Sequence, residues 1–369
     1  GVIWIVPEKP QYEWGGSAEA TVGNFNMLRV AGDVTGPISD NVAFSLGANY
    51  NTRDGYADDL NTGADINDRN RWGVRGQLLI EPTEDLSFRI IGDFDKIDET
   101  CCVVANVVNG MTGPAIFALG GQLDPENPYS YNVYSNLDST NDVENSGLSV
   151  QADYAFGFAD LTSITAYRSS KLKTDQDSDF TSADLLSRNS NDTDIDTFTQ
   201  EIRLTSNGDG AVDWMVGGFY FDESVDIENQ ILYGQDIRGY IDFLSQGLLT
   251  GLEPLVFSVP QGFFFQPGEG MTEAYGQDNT AFSLFGTVDY HMTDRLTATV
   301  GLNYTQDNKD AYGRVVSTDT FSAIDLDPLS PFISQVATGA LLLQAGVDPT
   351  SPAQIGAFAA AYPDVFATI

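Results

Sequence analysis

The feature that most constrains this chain is a recurring segment of ten to twelve residues in which apolar and polar side chains alternate strictly. Its clearest copy places Leu296, Ala298, Val300, Leu302 and Tyr304 on one face, and Thr297, Thr299, Gly301, Asn303 and Thr305 on the other. A period of two is that of a β-strand. Further copies are Val42/Phe44/Leu46/Ala48/Tyr50, Trp72/Val74/Gly76/Leu78/Ile80, Leu86/Phe88/Ile90/Gly92/Phe94, Leu148/Val150/Ala152/Tyr154/Phe156, Val212/Trp214/Val216/Gly218/Tyr220 and Phe282/Leu284/Gly286/Val288/Tyr290. Together with weaker copies they predict strands over 14–24, 27–36, 42–52, 69–81, 86–96, 146–156, 160–170, 196–206, 212–222, 280–291 and 296–306. After the first hairpin the connections alternate short and long, so one end of an up-and-down sheet carries tight turns and the other long loops. The short ones, among them "GPISDN" (36–41) and "EPTED" (81–85), have the Gly, Pro, Asn and Asp of tight turns.

Strands of this length suit a tilted crossing of a bilayer, which takes about 9–11 residues. Short turns at one end and long loops at the other are the arrangement of outer-membrane barrels. Large aromatics lie at both ends of the apolar faces: Tyr50, Trp72, Phe94, Tyr220, Phe282 and Tyr304 near the long loops, and Phe88, Phe156, Trp214 and Tyr290 near the turns. Two such bands match the aromatic girdles of the two membrane interfaces. The expected fold is therefore all-β, a transmembrane antiparallel up-and-down β-barrel whose long extracellular loops carry short helices. A soluble β-sandwich shares the alternation, but strand length, loop asymmetry and aromatic ends together favour the barrel.

Composition narrows the function. No run of about 18 apolar residues is present to span a bilayer as a helix. Acidic residues number 53 against 17 basic, for a net charge of -36, which argues against nucleic acid as a partner. A chain with 42% hydrophobic residues can bury a core, so disorder is not expected. The single histidine, His291, sits beside a tight turn and reads as an interfacial polar residue; there is no nucleophile elbow, phosphate loop or His-rich metal spacing. Neither an enzyme nor a cofactor is expected.

The opening "GVIWIVPEKP" resembles the segment that ends the plug domain of TonB-dependent outer-membrane receptors, and "GGSAEATVGNFNMLRVAGDVTGPISDNVAFSLGANYNTRDGY" is similar to the first barrel strands that follow it. "RWGVRGQLLIEPTEDLSFRIIGDF", "FTQEIRLTSNGDGAVDWMVGGFYFDE" and "SLFGTVDYHMTDRLTATVGLNYTQDNKD" resemble later hairpins of the same family, while the long loops have no counterpart. Trp4 and Pro7 depart from the family pattern. The resemblance implies a barrel of 22 strands, of which about 11 are present. It also implies that residues 1–13 are the C-terminal remnant of a plug and 14–369 the N-terminal half of the barrel, so the chain reads as a fragment. It implies further an active transporter in the outer membrane of a Gram-negative bacterium, taking up a scarce small-molecule ligand, by default a ferric siderophore. Its partners would be the TonB–ExbB–ExbD system, reached through a region before Gly1, and the surrounding lipid and lipopolysaccharide. A passive porin and a soluble β-rich binding protein are the alternatives.

Candidate sites lie in the outward segments, 53–68, 97–145, 171–195, 223–279 and 307–369, which carry 34 acidic and 7 basic residues. Acidic loops of this kind keep a surface soluble and bind divalent ions; the alternative is that they select a neutral or cationic ligand, or a metal complex with little negative charge, with Tyr129, Tyr131, Phe263, Phe264 and Phe265 as stacking surfaces. The adjacent Cys101 and Cys102 are expected to form a vicinal disulfide on the oxidising side of the membrane; reduced thiols and a metal site are the alternatives. "TDQDSDF" sets Asp175, Asp177 and Asp179 at calcium-loop spacing, but Phe180 and Leu186 stand where Gly and Glu are needed, so a solvated acidic loop is favoured. "TSPAQIGAFAAAYP", capped by Thr350 or Ser351, and "SPFISQVATGALLLQAG", starting at Ser330 and Pro331, read as helices.

Overall fold

The computed structural model describes residues 7–123, 127, 129–208, 210–325, 327, 338–339 and 341–366. The chain divides into two units, Gly1–Asp319 and Thr320–Ile369. Strands of the first unit, numbered along the chain, are β1 (Gly15–Gly23), β2 (Met27–Ser39), β3 (Val42–Arg53), β4 (Ala57–Asp59), β5 (Asp65–Ile66), β6 (Arg69–Thr83), β7 (Leu86–Thr100), β8 (Asn132–Val133), β9 (Thr140–Ala155), β10 (Ala159–Asp175), β11 (Leu186–Ser206), β12 (Val212–Tyr233), β13 (Gly270–Thr293) and β14 (Leu296–Ser317). Eleven of them form one sheet in chain order, antiparallel at every step, with β1 and β14 at its edges. The short β4, β5 and β8 form a separate sheet at the long-loop end, in which β4 pairs with β8 in parallel.

All eleven predicted strands are present, but four extend far beyond their predicted ends. The strand expected at 196–206 begins at Leu186, that at 212–222 runs on to Tyr233, that at 280–291 begins at Gly270, and that at 296–306 runs to Ser317. The added stretches mix charged, amide and apolar side chains on both faces ("LSRNSNDTDI", "ESVDIENQILY", "GMTEAYGQDN", "DNKDAYGRVVS"), so no period of two marks them. Their backbone groups nevertheless need partners, and the ladder supplies them. At about 3.4 Å per residue, the 22 residues of β12 measure roughly 75 Å, against an apolar band of about 25 Å. The outward connections shrink accordingly to 54–68, 101–139, 176–185 and 234–269.

The two faces of the sheet are inverted relative to a water-soluble protein. On β6 the outward Trp72, Val74 and Leu78 are exposed while Gly73, Gln77 and Leu79 on the other face are buried. Leu284, Val300 and Leu302 are 52%, 66% and 81% exposed. Each side chain of this size left in water forfeits about 1.5–3 kcal/mol of burial, so a face of this extent belongs against lipid and the soluble sandwich is excluded. Cross-strand partners on that face run Val42, Ile80, Phe88, Ala152, Ser163, Ile202, Gly218, Leu284, Tyr304. The row climbs from the turn end of β3 to the upper aromatic band on β14, which is the stagger of tilted barrel strands. Within that band Trp72 lies on Phe94 at 5.1 Å and Phe198 on Tyr220 at 6.2 Å.

Among the described residues of the first unit, the helices lie in the loops: α1 (Gly113–Ala118), α2 (Ile237–Leu244) and α3 (Leu248–Leu252), the last followed by a π-turn at Glu253–Phe257. In the second unit, α4 (Pro352–Ala361) starts where expected, with the Ser351 hydroxyl accepting from the Gln354 amide, and α5 (Pro363–Phe366) follows. Phe358 packs on Tyr362 at 5.3 Å. The helix start expected at Ser330 and Pro331 lies outside the described residues.

Candidate binding vestibule

On the face opposite the lipid belt, one row is polar from edge to edge of the sheet. Partners in register run Ser17, Asp33, Gly47, Arg75, Asp93, Gly147, Arg168, Thr197, Glu223, Asn279, Lys309, one from each strand, with no apolar side chain among them. Such a row can face only water or a polar occupant. A cavity of about 490 Å³ opens over Asp33, Arg75, Asp93 and Arg168.

Residues 7–11 lie on this face. Arg89 donates to the carbonyls of Pro7, at 2.9 Å, and Glu8, at 3.1 Å. Gln77 also donates to Glu8, at 3.2 Å, and its own carbonyl holds Arg89 at 2.7 Å. Further along, the Gln11 amide donates to the Thr35 hydroxyl at 2.8 Å, whereas Trp14, at the start of β1, lies on the lipid-facing side, edge-on to Phe44 at 5.8 Å. A charged guanidinium on carbonyl oxygens makes stronger bonds than a neutral donor. The segment entering β1 is therefore fastened to β6 and β7 from inside the sheet.

At the long-loop end the connections are braced internally. Glu253 is fully buried in loop 234–269, where Arg238 binds it from α2 and the amides of Gly262 and Phe264 donate to it. Burial alone would raise this carboxyl; Arg238 and the two amides outweigh it and hold it below the usual carboxylate range. Asp242 and Thr250 complete the guanidinium's shell. Cys101 and Cys102 are joined by a disulfide at the base of loop 101–139, where the Cys101 amide donates to Ser139.

Loop 176–185 differs from the solvated acidic loop favoured by its sequence. Asp177 is only 4% exposed, and its Oδ1 accepts the amides of Asp179 and Phe180, both at 3.0 Å. Asp179 accepts Thr181 on one oxygen and the amides of Leu185 and Leu186 on the other. The carboxylates are spent folding their own loop, as Asx-turns do. Burial, with Asp177 beside it, pushes Asp179 up to about 7. Asp175 instead pairs with Arg188 at 3.2 Å. Among the described residues no group of three or more His, Cys, Asp or Glu side chains is placed to hold a metal ion.

The five aromatics singled out in the sequence separate by loop. Tyr129 is highly exposed, and Tyr131, half exposed, meets Tyr56 edge-on at 6.1 Å. In the other loop Phe263 is 40% exposed, but Phe264 is buried at 2% against Phe257 and offers no face to a ligand. Phe265 rests on Tyr233 at 5.7 Å. Phe264 is buried because its amide is drawn onto Glu253, a long-range contact that the run "FFF" does not reveal. One signal for the brace was present: Glu253 is the lone charge in "LLTGLEPLVFSV", and a lone acid in an apolar run needs a buried partner. Arg89 and Gln77 carry no signal of their own in the sequence, where they only alternate with the apolar residues of their strands.

A family model described as TonB dependent receptor-like, beta-barrel matches residues 105–341. No curated protein matches the chain in sequence. Among solved structures, the ferric yersiniabactin uptake receptor FyuA from Yersinia pestis is similar with a TM-score of 0.62 and 13% identity, over 85% of this chain and 42% of that one. The ferripyoverdine receptor of the outer membrane of Pseudomonas aeruginosa, bound to ferripyoverdine, is similar with a TM-score of 0.54 and 13% identity, over 85% and 39%. The Ferric-Catecholate import receptor Fiu from E. coli K12 has a TM-score of 0.52 and 14% identity, over 82% and 46%. At these identities the likeness is one of fold, and the chain spans less than half the length of each.

Proposed function

Because this chain belongs to the TonB-dependent receptor-like β-barrel family, whose members lie in the outer membrane of Gram-negative bacteria, we propose that it is part of an importer that captures a scarce ligand outside the cell and passes it through the barrel lumen. The observation that carries this reading is the segment 7–11, held on the polar face by Arg89 and Gln77 at Pro7 and Glu8 and by Thr35 at Gln11. A passive porin needs an open lumen, whereas a chain entering the barrel from within suits a plugged one. Residues 1–13 are on this reading the end of the plug, and 14–369 the first half of a 22-strand barrel. Energy would come from the TonB–ExbB–ExbD system acting on the plug.

The default ligand is a ferric siderophore, in keeping with the uptake and import receptors of similar fold. The acidic outward loops favour a neutral or cationic complex over a polyanion. Tyr129, Tyr131 and Phe263 retain exposed faces for stacking. Phe264 and Phe265 serve to shape the loop. Lipid and lipopolysaccharide surround the apolar belt.

The test is uptake of radiolabelled ferric complexes by iron-limited cells, with the intact gene present or disrupted and with TonB present or absent. Loss of uptake in both deletions is expected. Uptake that depends on the gene and persists without TonB would establish the porin instead.

A further inference from the structure

Three outward loops meet at one carboxylate. Asp184, in loop 176–185, accepts the side-chain amide of Asn136 from loop 101–139 at 3.0 Å and the backbone amide of Gln235 from loop 234–269 at 2.9 Å. Its own amide donates to the Asp236 carboxylate at 2.9 Å, and its carbonyl accepts the Asp236 amide at 2.8 Å. Asn136 also donates to the Leu186 carbonyl at 2.8 Å, and the Gly234 amide to the Leu185 carbonyl at 2.8 Å. The approach is so close that a Cβ on residue 234 would lie 2.1 Å from the Asp184 carbonyl oxygen, so only glycine fits.

An apolar core drawn from the same three loops adjoins this junction. Ile116 of α1, Ala183 and Leu185 are buried together, with Leu119, Leu123, Ile237 and Tyr240 packed against them. For any one loop to swing, it would have to break charge-assisted hydrogen bonds and open a core shared with the other two. Loop 54–68 is tied to the assembly as well, since β4 pairs with β8 and Asn61 donates to the Ser135 carbonyl at 2.7 Å.

We propose that Asp184 is a positioning residue that locks these loops into one rim, so that the ligand meets faces already held in place. The consequence for capture rests on the import reading above; the locking itself does not. A preorganised rim avoids the ordering of loops at the moment of binding. Asp184 touches no ligand on this account and acts through Asn136, Gln235 and Asp236.

The experiment is amide hydrogen exchange on the full-length receptor in phospholipid nanodiscs, comparing wild type, Asp184→Ala and Asp184→Asn. In Asp184→Ala, exchange should rise about tenfold or more, and by a similar factor, in peptides covering 113–121, 182–186 and 234–240, with the β11–β13 ladder unchanged. Asp184→Asn keeps one acceptor and should fall between. Acceleration confined to 182–186 and 234–240, with 113–121 unaffected, would show independent loops and overturn the proposal. Should Asp184→Ala fail to assemble, Asn136→Ala must give the same spread at smaller amplitude, or the proposal fails. Initial rates of radiolabelled iron uptake supply the second readout: Asp184→Ala should raise the half-saturating concentration and leave the maximal rate. A lower maximal rate with unchanged half-saturation would reflect lost receptor and count against a positioning role. If wild type imports no iron, the import reading falls while the exchange data still decide the locking.

Discussion

Arg168 on β10 reaches across Gly147 on β9 to bind Asp93 on β7, Nη2 to Oδ2 at 2.8 Å, so that one ion pair spans three strands of the polar face. Only a residue without a side chain leaves that path open. A Cβ at position 147 would lie 2.8 Å from the Arg168 guanidinium.

Gly147→Ala should therefore displace the guanidinium from Asp93 while leaving the ladder intact. Arg168 is half exposed, so the loss should be modest, about 0.5–1 kcal/mol in urea unfolding of the full-length barrel. In an Arg168→Ala background the same substitution should have no such effect. An equal loss in both backgrounds would mean that Gly147 is required for another reason.

The apolar belt predicts a contrast between neighbouring positions. Leu284→Arg introduces a charge on the lipid face and should destabilise the folded barrel by about 2–4 kcal/mol. Thr287→Arg, three residues on and facing the lumen, should be close to neutral. Heat-modifiable migration and urea titration would check both. Similar tolerance at the two sites would mean that the lipid-facing side has been misassigned.

In loop 234–269 the two partners of the buried pair should not be equivalent. Arg238→Ala strands the inaccessible Glu253 carboxylate and should weaken the loop by about 3–5 kcal/mol. Arg238→Ala with Glu253→Gln removes the stranded charge and should recover part of that loss. Limited proteolysis would report it, because opening of the loop exposes Phe264. Cleavage at the wild-type rate in Arg238→Ala would show that the pair does not hold the loop.

Loop 176–185 should loosen as pH rises. The Asp179 carboxyl has an ordinary value of 3.8 and is pushed up to about 7 by burial and Asp177. The folded loop thus keeps a proton that an open loop has lost, so its stability is greatest below about pH 4, declines as pH rises toward 7, and is level above. Protection of the Leu185 and Leu186 amides, corrected for intrinsic exchange, should fall over that window in wild type and stay flat in Asp179→Asn. A flat wild-type profile would be evidence that Asp179 is ionised throughout.

Most of the membrane-embedded architecture was legible from sequence, because lipid outside and polar lumen inside impose opposite demands on successive residues. Leu296–Tyr304 and Phe282–Tyr290 record those demands directly, and their strand order follows from short connections. Where both faces meet water, as in 186–195 and 307–317, side chains carry no alternation, and the extended ladder came to light only from the pairing of backbone groups. The loops were less legible for a related reason. "TDQDSDF" and "FFF" look alike whether solvated or buried; what decides is contact with residues distant in the chain, such as Arg238 with Glu253 and Asp184 with Asn136 and Gln235. The sequence by itself determined which residues face lipid, since a bilayer acts on each side chain separately. Only the tertiary structure decided that Asp184 joins three loops and that Arg89 fastens residues 7–8, since hydrogen bonds between segments depend on positions that no local pattern encodes.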